Sequence, residues 1–182
     1  MMKLYNDNII SFPKTGTKFL GERLTLTDEL TYEDLFTNEK YKDKPLYIII
    51  RNPKDNLISA INVSLRYDPT PTLKETMENM LLNEDPHFNT NRFQMLNLYS
   101  KFNPNLTFVE LIYLNNFLEH IIDVRTFTKT NHRTDIMVTE KDIIDQEPYL
   151  WGLLNIIMKP EINLYHILRS GKNIYIPIKT LI

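Results

Sequence analysis

Three observations predict an α/β fold, a doubly wound parallel sheet flanked by helices in one compact domain over residues 1–182. Two apolar runs, Asn8-Ile9-Ile10 and Leu46-Tyr47-Ile48-Ile49-Ile50, each pass through a short polar turn into a helix start. The second run is apolar without alternation, the pattern of a central parallel strand covered on both faces. Strand and helix alternate along the chain, an order that builds parallel sheets and places ligands at the carboxyl ends of the strands.

Taken in order, the first strand ends near Ser11, and a helix starts around Phe19-Leu20. Leu24-Thr25-Leu26-Thr27 alternates like a short strand. Thr31 is placed to cap a helix through Phe36, with Asp34 in the position where a capping box usually carries Glu or Gln. Asn38 to Lys44 reads as a charged loop, and Pro45 introduces the strand Leu46–Ile50. A helix should run from about Pro53 to Leu65, because proline suits the first helical turn, and Asp68-Pro69-Thr70-Pro71 ends it. Thr72–Leu82 and Asn91–Phe102 read as further helices. Thr107–Leu114 reads as a strand, Asn116–Ile122 as a helix, Asp142–Met158 as one or two helices around Trp151, and Asn173–Ile182 as a short edge strand carrying Pro177.

Composition narrows the class. The 182 residues are 42% hydrophobic and 24% charged, as in an ordinary globular protein with a real core. A net charge of −2 gives no overall attraction to nucleic acid or to an anionic membrane, so neither is expected as a partner. Cysteine is absent, which excludes disulfides and thiolate metal sites and suits the cytoplasm. No apolar stretch reaches transmembrane length and the N-terminus has no signal-peptide core, so a soluble, cytoplasmic protein is expected. The four histidines are scattered without ligand spacing, so no metal is expected. Abundant Asn, Ile and Lys suit an AT-rich genome, bacterial or viral.

The chain is organised around Ser11-Phe12-Pro13-Lys14-Thr15-Gly16-Thr17-Lys18-Phe19-Leu20. Backbone N–H groups in a helix's first turn lack intrahelical partners, and the helix dipole adds partial positive charge there. Gly16 permits close approach, Lys14 brings a full charge, and Thr15 and Thr17 bring hydroxyl donors. Together these make an anion site for phosphate or sulfate. It is not the Walker loop G-x-x-x-x-G-K-[ST]: Phe12 and Thr17 stand at the glycine positions, and Phe19 follows Lys18.

Pro13-Lys14-Thr15-Gly16-Thr17 instead resembles the 5′-phosphosulfate loop of the sulfotransferases that use 3′-phosphoadenosine 5′-phosphosulfate (PAPS). Tyr47-Ile48-Ile49-Ile50-Arg51-Asn52-Pro53-Lys54-Asp55, with Ser59 eight residues after Arg51, resembles the family's 3′-phosphate motif. The resemblance covers about residues 8–24 and 46–65. A softer likeness to the carbohydrate sulfotransferases runs through Asp85-Pro86-His87-Phe88 to Gln94 and Val109–Leu114. Two departures stand out. Lys18 occupies a position where the family has Ser or Thr, and only 36 residues separate Lys14 from Arg51, less than half the family's usual distance. A substrate-facing segment is therefore reduced or missing.

The resemblance implies in-line transfer of a sulfuryl group from PAPS, releasing 3′-phosphoadenosine 5′-phosphate (PAP). It places Lys14 at the bridging oxygen and Thr15, Gly16, Thr17 and Lys18 around the 5′-phosphate. Phe19 takes the adenine-stacking position, and Arg51 and Ser59 the 3′-phosphate. The family also needs a general base, His or Glu. Glu29 is the first candidate, because the strand before it should end at the rim that carries the loop; Glu33 and His87 follow.

Plainer readings stand beside these. Lys14–Thr17 also makes an ordinary turn, Arg51-Asn52-Pro53 a helix cap, Phe19 a core aromatic, and Lys129, His132 and Arg133 a solvated face. The acceptor stays open between a carbohydrate, a small metabolite and a peptide tyrosine, as does the oligomeric state. Two other functions remain: a divergent nucleotide or small-molecule kinase, which needs Mg²⁺ and a carboxylate after a strand, and a non-catalytic module that binds PAP or PAPS.

Overall fold

The computed structural model describes residues 2–82, 92–122 and 137–177. His87 and the Lys129, His132 and Arg133 cluster lie outside the described residues.

The chain opens with β1 (Met2–Tyr5), β2 (Ile9–Ser11), α1 (Thr17–Gly21), β3 (Leu26–Leu30) and α2 (Tyr32–Thr37). Next come a 3₁₀ turn at Glu39–Tyr41, β4 (Leu46–Ile50), α3 (Pro53–Tyr67), α4 (Leu73–Leu82), α5 (Arg92–Phe102) and β5 (Leu106–Glu110). After a 3₁₀ turn at Leu111–Tyr113 follow α6 (Leu114–His120), α7 (Glu140–Gln146) and α8 (Pro148–Ser170).

The strands form one sheet in the order β3-β1-β2-β4-β5. β2, β4 and β5 pair in parallel, whereas β1 runs antiparallel to both β2 and β3. The sheet is therefore mixed, where an all-parallel one was expected. The antiparallel strand enters through a hairpin between β1 and β2. Asn6 and Asp7 hold φ of 45° and 62°, the signs a type I′ turn requires, and the Asn8 N–H donates to the Tyr5 carbonyl at 3.1 Å. With β1 reversed, β3 points the same way as β2, so both strands end on one rim.

Alternation across the strands builds two cores. On one face Tyr5, Ile9, Ile49 and Val109 pack under Leu20 of α1 and Leu114, Phe117 and Leu118 of α6. On the other, Leu4, Ile10, Ile48, Ile50 and Phe108 meet Leu35 of α2, Phe93, Leu96 and Tyr99 of α5, and Tyr165 and Leu168 of α8. A third cluster joins α3, α4, α7 and α8 around Trp151. Asn62 of α3 fastens it: its amide donates to the Val138 carbonyl at 2.8 Å and accepts from the Met137 and Val138 N–H groups at 2.7 and 3.0 Å.

Several expected elements shift. β3 occupies Leu26–Leu30 rather than Leu24–Thr27, because Leu24 is drawn into the core beneath α1. The strand expected to reach Leu114 ends at Glu110, where the chain turns 3₁₀. Of the expected terminal edge strand, the described part makes one parallel bridge, Ile174 to Phe108. The capping box at Thr31 forms with Asp34 as its carboxylate, and Thr139 with Asp142 repeats it at α7.

Candidate functional site

The loop between β2 and α1 closes on the Phe12 carbonyl. The Thr15 N–H donates to it at 3.1 Å, and the Thr15 and Thr17 hydroxyls each donate at 2.8 Å. Thr15 Oγ1 also accepts from the Phe12 N–H at 2.8 Å, and Thr15 is fully buried. Ser11 Oγ donates to Thr17 Oγ1 at 3.2 Å, and the Tyr5 hydroxyl donates to the Thr17 carbonyl at 2.9 Å. Both threonine hydroxyls expected to face a ligand are thus turned into the loop. What this leaves for an anion is the backbone: in a helix's first turn the N–H groups have no intrahelical acceptor.

Two residues bend this turn through the left-handed region. Gly16 has φ +84°, and a Cβ there would stand 3.0 Å from Leu111 Cδ1 and from Leu114 Cδ2. Lys14 holds φ +67° despite its side chain, a conformation that costs a non-glycine residue energy and is common at functional sites.

Arg51 follows β4, whose neighbour in the sheet is β2. Its Nη1 donates to the Lys14 carbonyl at 3.2 Å, so the two sequence motifs meet in space. The guanidinium is partly buried; burial pulls its pKa below the usual arginine value, and the nearby Asp55 carboxylate opposes that shift. Asn52 caps α3 by accepting from the Lys54 N–H at 2.9 Å, with Pro53 in the first turn. Ser59 lies on a half-buried flank of α3, about 9 Å along the axis from Pro53 at 1.5 Å per residue.

The other candidates spread out. Lys18 is exposed. Phe19 is half-buried against the α1–α6 core, and the Arg23 guanidinium stacks 3.6 Å from its ring centroid, covering one face. Glu29 lies inside β3 rather than beyond it, in register with Lys3, which is in register with Ser11. It shares the loop's rim, two strand spacings or roughly 10 Å from β2. There it is exposed and ion-paired with Lys3 at 3.5 Å. Glu33 is exposed in the first turn of α2.

Sequence reasoning missed the carboxylate at the end of β5. Glu110 is buried, accepting from the Tyr165 hydroxyl and from Arg169 Nε at 3.2 Å. Burial and this carboxylate both push the Tyr165 phenol up. The only signal was a lone charge in an apolar run, and its partners lie 55 and 59 residues away. Also unforeseen is the buried group under the loop. Arg92 sits 5.0 Å from the Phe12 ring centroid, and Glu161 accepts from the Phe93 and Gln94 N–H groups at 2.6 and 3.3 Å. Burial raises the Glu161 carboxyl and pushes Tyr32 up to about 12.

A groove of about 610 Å³ lies between α5 and α8, lined by Gln94, Leu98, Ile157, Pro160 and Leu164 among others, and no residue of the loop lines it. Among the described residues, no group of three or more His, Asp or Glu side chains is placed to hold a metal, and no helix is long and apolar enough to cross a membrane. Comparison with protein-family models, with curated proteins and with solved structures finds no match for this chain.

Proposed function

We propose that this chain binds PAPS at the rim shared by β2 and β4 and transfers its sulfuryl group to an acceptor hydroxyl or amine. The observation that carries this reading is the hydrogen bond from Arg51 to the Lys14 carbonyl. It sets a guanidinium against the loop that would hold the 5′-phosphate, so cations for both ends of a bisphosphorylated nucleotide share one rim. One N–H of Arg51 is used in this bond, and the fork has five.

In the transfer, the acceptor's lone pair forms the new bond to sulfur as the bond to the bridging oxygen breaks. The leaving phosphate of PAP takes the electron pair, and the acceptor proton passes to a base. Negative charge grows on the bridging oxygen, so catalysis needs fixed cations and N–H donors more than covalent chemistry. Lys14 takes that oxygen. The backbone of Gly16 through Phe19 takes the 5′-phosphate, and Arg51 with Ser59 the 3′-phosphate. Glu29 is the base candidate on the rim, with Glu33 next and His87 beyond the described residues. The acceptor is a carbohydrate, a small metabolite or a peptide tyrosine.

A second reading, a non-catalytic PAP- or PAPS-binding module, is favoured by Glu29 itself, which is ion-paired and exposed on an edge strand. The kinase reading loses ground because the carboxylate that ends β5, Glu110, is already held by Tyr165 and Arg169.

Calorimetric titration with PAP, AMP and ATP–Mg²⁺ tests the nucleotide. PAP binding much tighter than AMP is expected; preference for ATP–Mg²⁺, or no binding, refutes the proposal. Labelled PAPS offered to an acceptor panel then separates enzyme from module.

A further inference from the structure

Phe12 is the residue on which the loop between β2 and α1 is gathered. Its carbonyl accepts from the Thr15 N–H and from both threonine hydroxyls, and its own N–H donates to Thr15 Oγ1. Its ring is buried on the sheet face that carries α2, α5 and α8, opposite the face that carries α1. The Phe12 backbone thus organises the turn that bears Lys14, while its side chain answers to distant helices. Two side chains meet that ring. Tyr32 of α2 stands with ring centroids 6.0 Å apart, and Arg92 of α5 sets its guanidinium carbon 5.0 Å from the Phe12 centroid.

A guanidinium is a costly way to fill that space. Arg92 is 5% exposed, and among the described residues its Nε has no hydrogen-bond partner, nor has the Tyr32 hydroxyl. Glu161 of α8 lies close enough to offset the charge, yet accepts from the Phe93 and Gln94 N–H groups. A buried donor left unmade costs stability, and apolar side chains of similar volume often replace a buried ion pair at no loss. Packing alone therefore does not account for a cation here. What the cation does have is a ring within about 6 Å, and shielding from water strengthens that attraction. Glu161, by holding the first turn of α5, fixes the point from which Arg92 reaches Phe12.

We infer that Arg92 is a positioning residue for the loop: it holds the Phe12 ring, and through it the carbonyl onto which Thr15 and Thr17 turn. That role rests on the proposed nucleotide site, which the held loop serves. Three contacts from separate elements then fix the loop. Arg51, after β4, holds the Lys14 carbonyl; Leu111 and Leu114 close against Gly16; and Arg92 holds Phe12. The last two act from opposite faces of the sheet. Arg92 acts on the nucleotide only through Phe12.

Arg92→Met keeps an unbranched side chain and removes the charge. In amide exchange of the nucleotide-free chain, the Phe12 and Thr15 N–H groups should exchange roughly tenfold faster than in the parent. The melting temperature should be unchanged or higher. PAP affinity, read by titration, should fall roughly tenfold as well. Arg92→Lys keeps a cation and should recover much of both losses. Phe12→Leu removes the ring and should weaken PAP binding; adding Arg92→Met to it should cost little more, because both act through one contact. Unchanged Thr15 exchange in Arg92→Met, or a PAP loss matched by a fall in melting temperature, would overturn the inference. So would no recovery by Arg92→Lys, or additive losses in the double variant. A parent chain that binds no PAP would refute the proposed function, and the Thr15 exchange rate would still decide whether Arg92 holds the loop.

Discussion

Two strand-to-helix junctions stand side by side on one rim and are built in opposite ways. After β4, the chain turns through Asn52, whose side chain caps the helix, and Pro53 launches fifteen residues of α3. Backbone geometry there is ordinary, and the helix's first turn is served by its own sequence. After β2, the chain turns through Lys14 and Gly16 at positive φ into a helix of five residues, and no side chain caps it. The hydroxyls that might have capped it are spent on Phe12. The first junction is thus finished locally, while the second is left with strain and uncapped donors. That contrast separates a structural turn from one suited to an anion, and Arg51 joins the two.

The largest break in the contrast should come from Arg51→Ala. It removes both the clamp on Lys14 and the expected 3′-phosphate partner. PAP affinity should fall by roughly thirty- to a hundredfold, the size expected for one or two charged hydrogen bonds. Adenosine 5′-phosphosulfate, lacking the 3′-phosphate, should lose much less, and equal losses measured by titration would return Arg51 to a purely structural role.

Gly16→Ala comes next. Left-handed backbone costs a side chain about 1–2 kcal/mol, and the new Cβ would press on Leu111 and Leu114. Denaturant midpoints should show that loss together with weakened PAP binding. Lys14→Gly sharpens the point from the other side, since it relieves strain at φ +67°. It should leave stability equal or higher by up to about 1 kcal/mol while lowering turnover more than PAP affinity. Unchanged turnover would remove Lys14 from the chemistry. The smallest effect belongs to the ordinary junction. Asn52→Ala should cost about 1 kcal/mol of stability, the usual worth of an N-cap, and leave nucleotide affinity nearly unchanged.

What could be read from the chain was what is encoded locally. Leu46–Ile50 announced a strand buried on both faces, and it pairs in parallel on both sides. Thr31 and Asp34 announced their own capping box. Non-local pairing was harder. β3 shows four exposed residues before Leu30, so no burial period marked it, and Leu24 beside it mimicked strand alternation while belonging to the core under α1. β1 is four residues long, and its turn uses Asn6 and Asp7 where a glycine would have been the stronger signal. The meeting of Arg51 and Lys14 was legible as two motifs but not as a contact. The inward turn of Thr15 and Thr17 depends on one carbonyl that composition does not reveal.

The reversed strand also has a consequence in time. β3, β1 and β2 all come from residues 2–30, so three of the five strands pair over short stretches of chain. β5 must come back to β4 from sixty residues away, Ile50 to Glu110. Short-range closure precedes long-range closure because less chain entropy is lost at each step. In pulse-labelled amide exchange during refolding, the β1 and β2 amides should gain protection before those of β5. The rim that pairs Lys14 with Arg51 would then be assembled on an antiparallel platform already in place, before β5 completes the sheet, because β2 and β4 pair across fewer residues than β4 and β5.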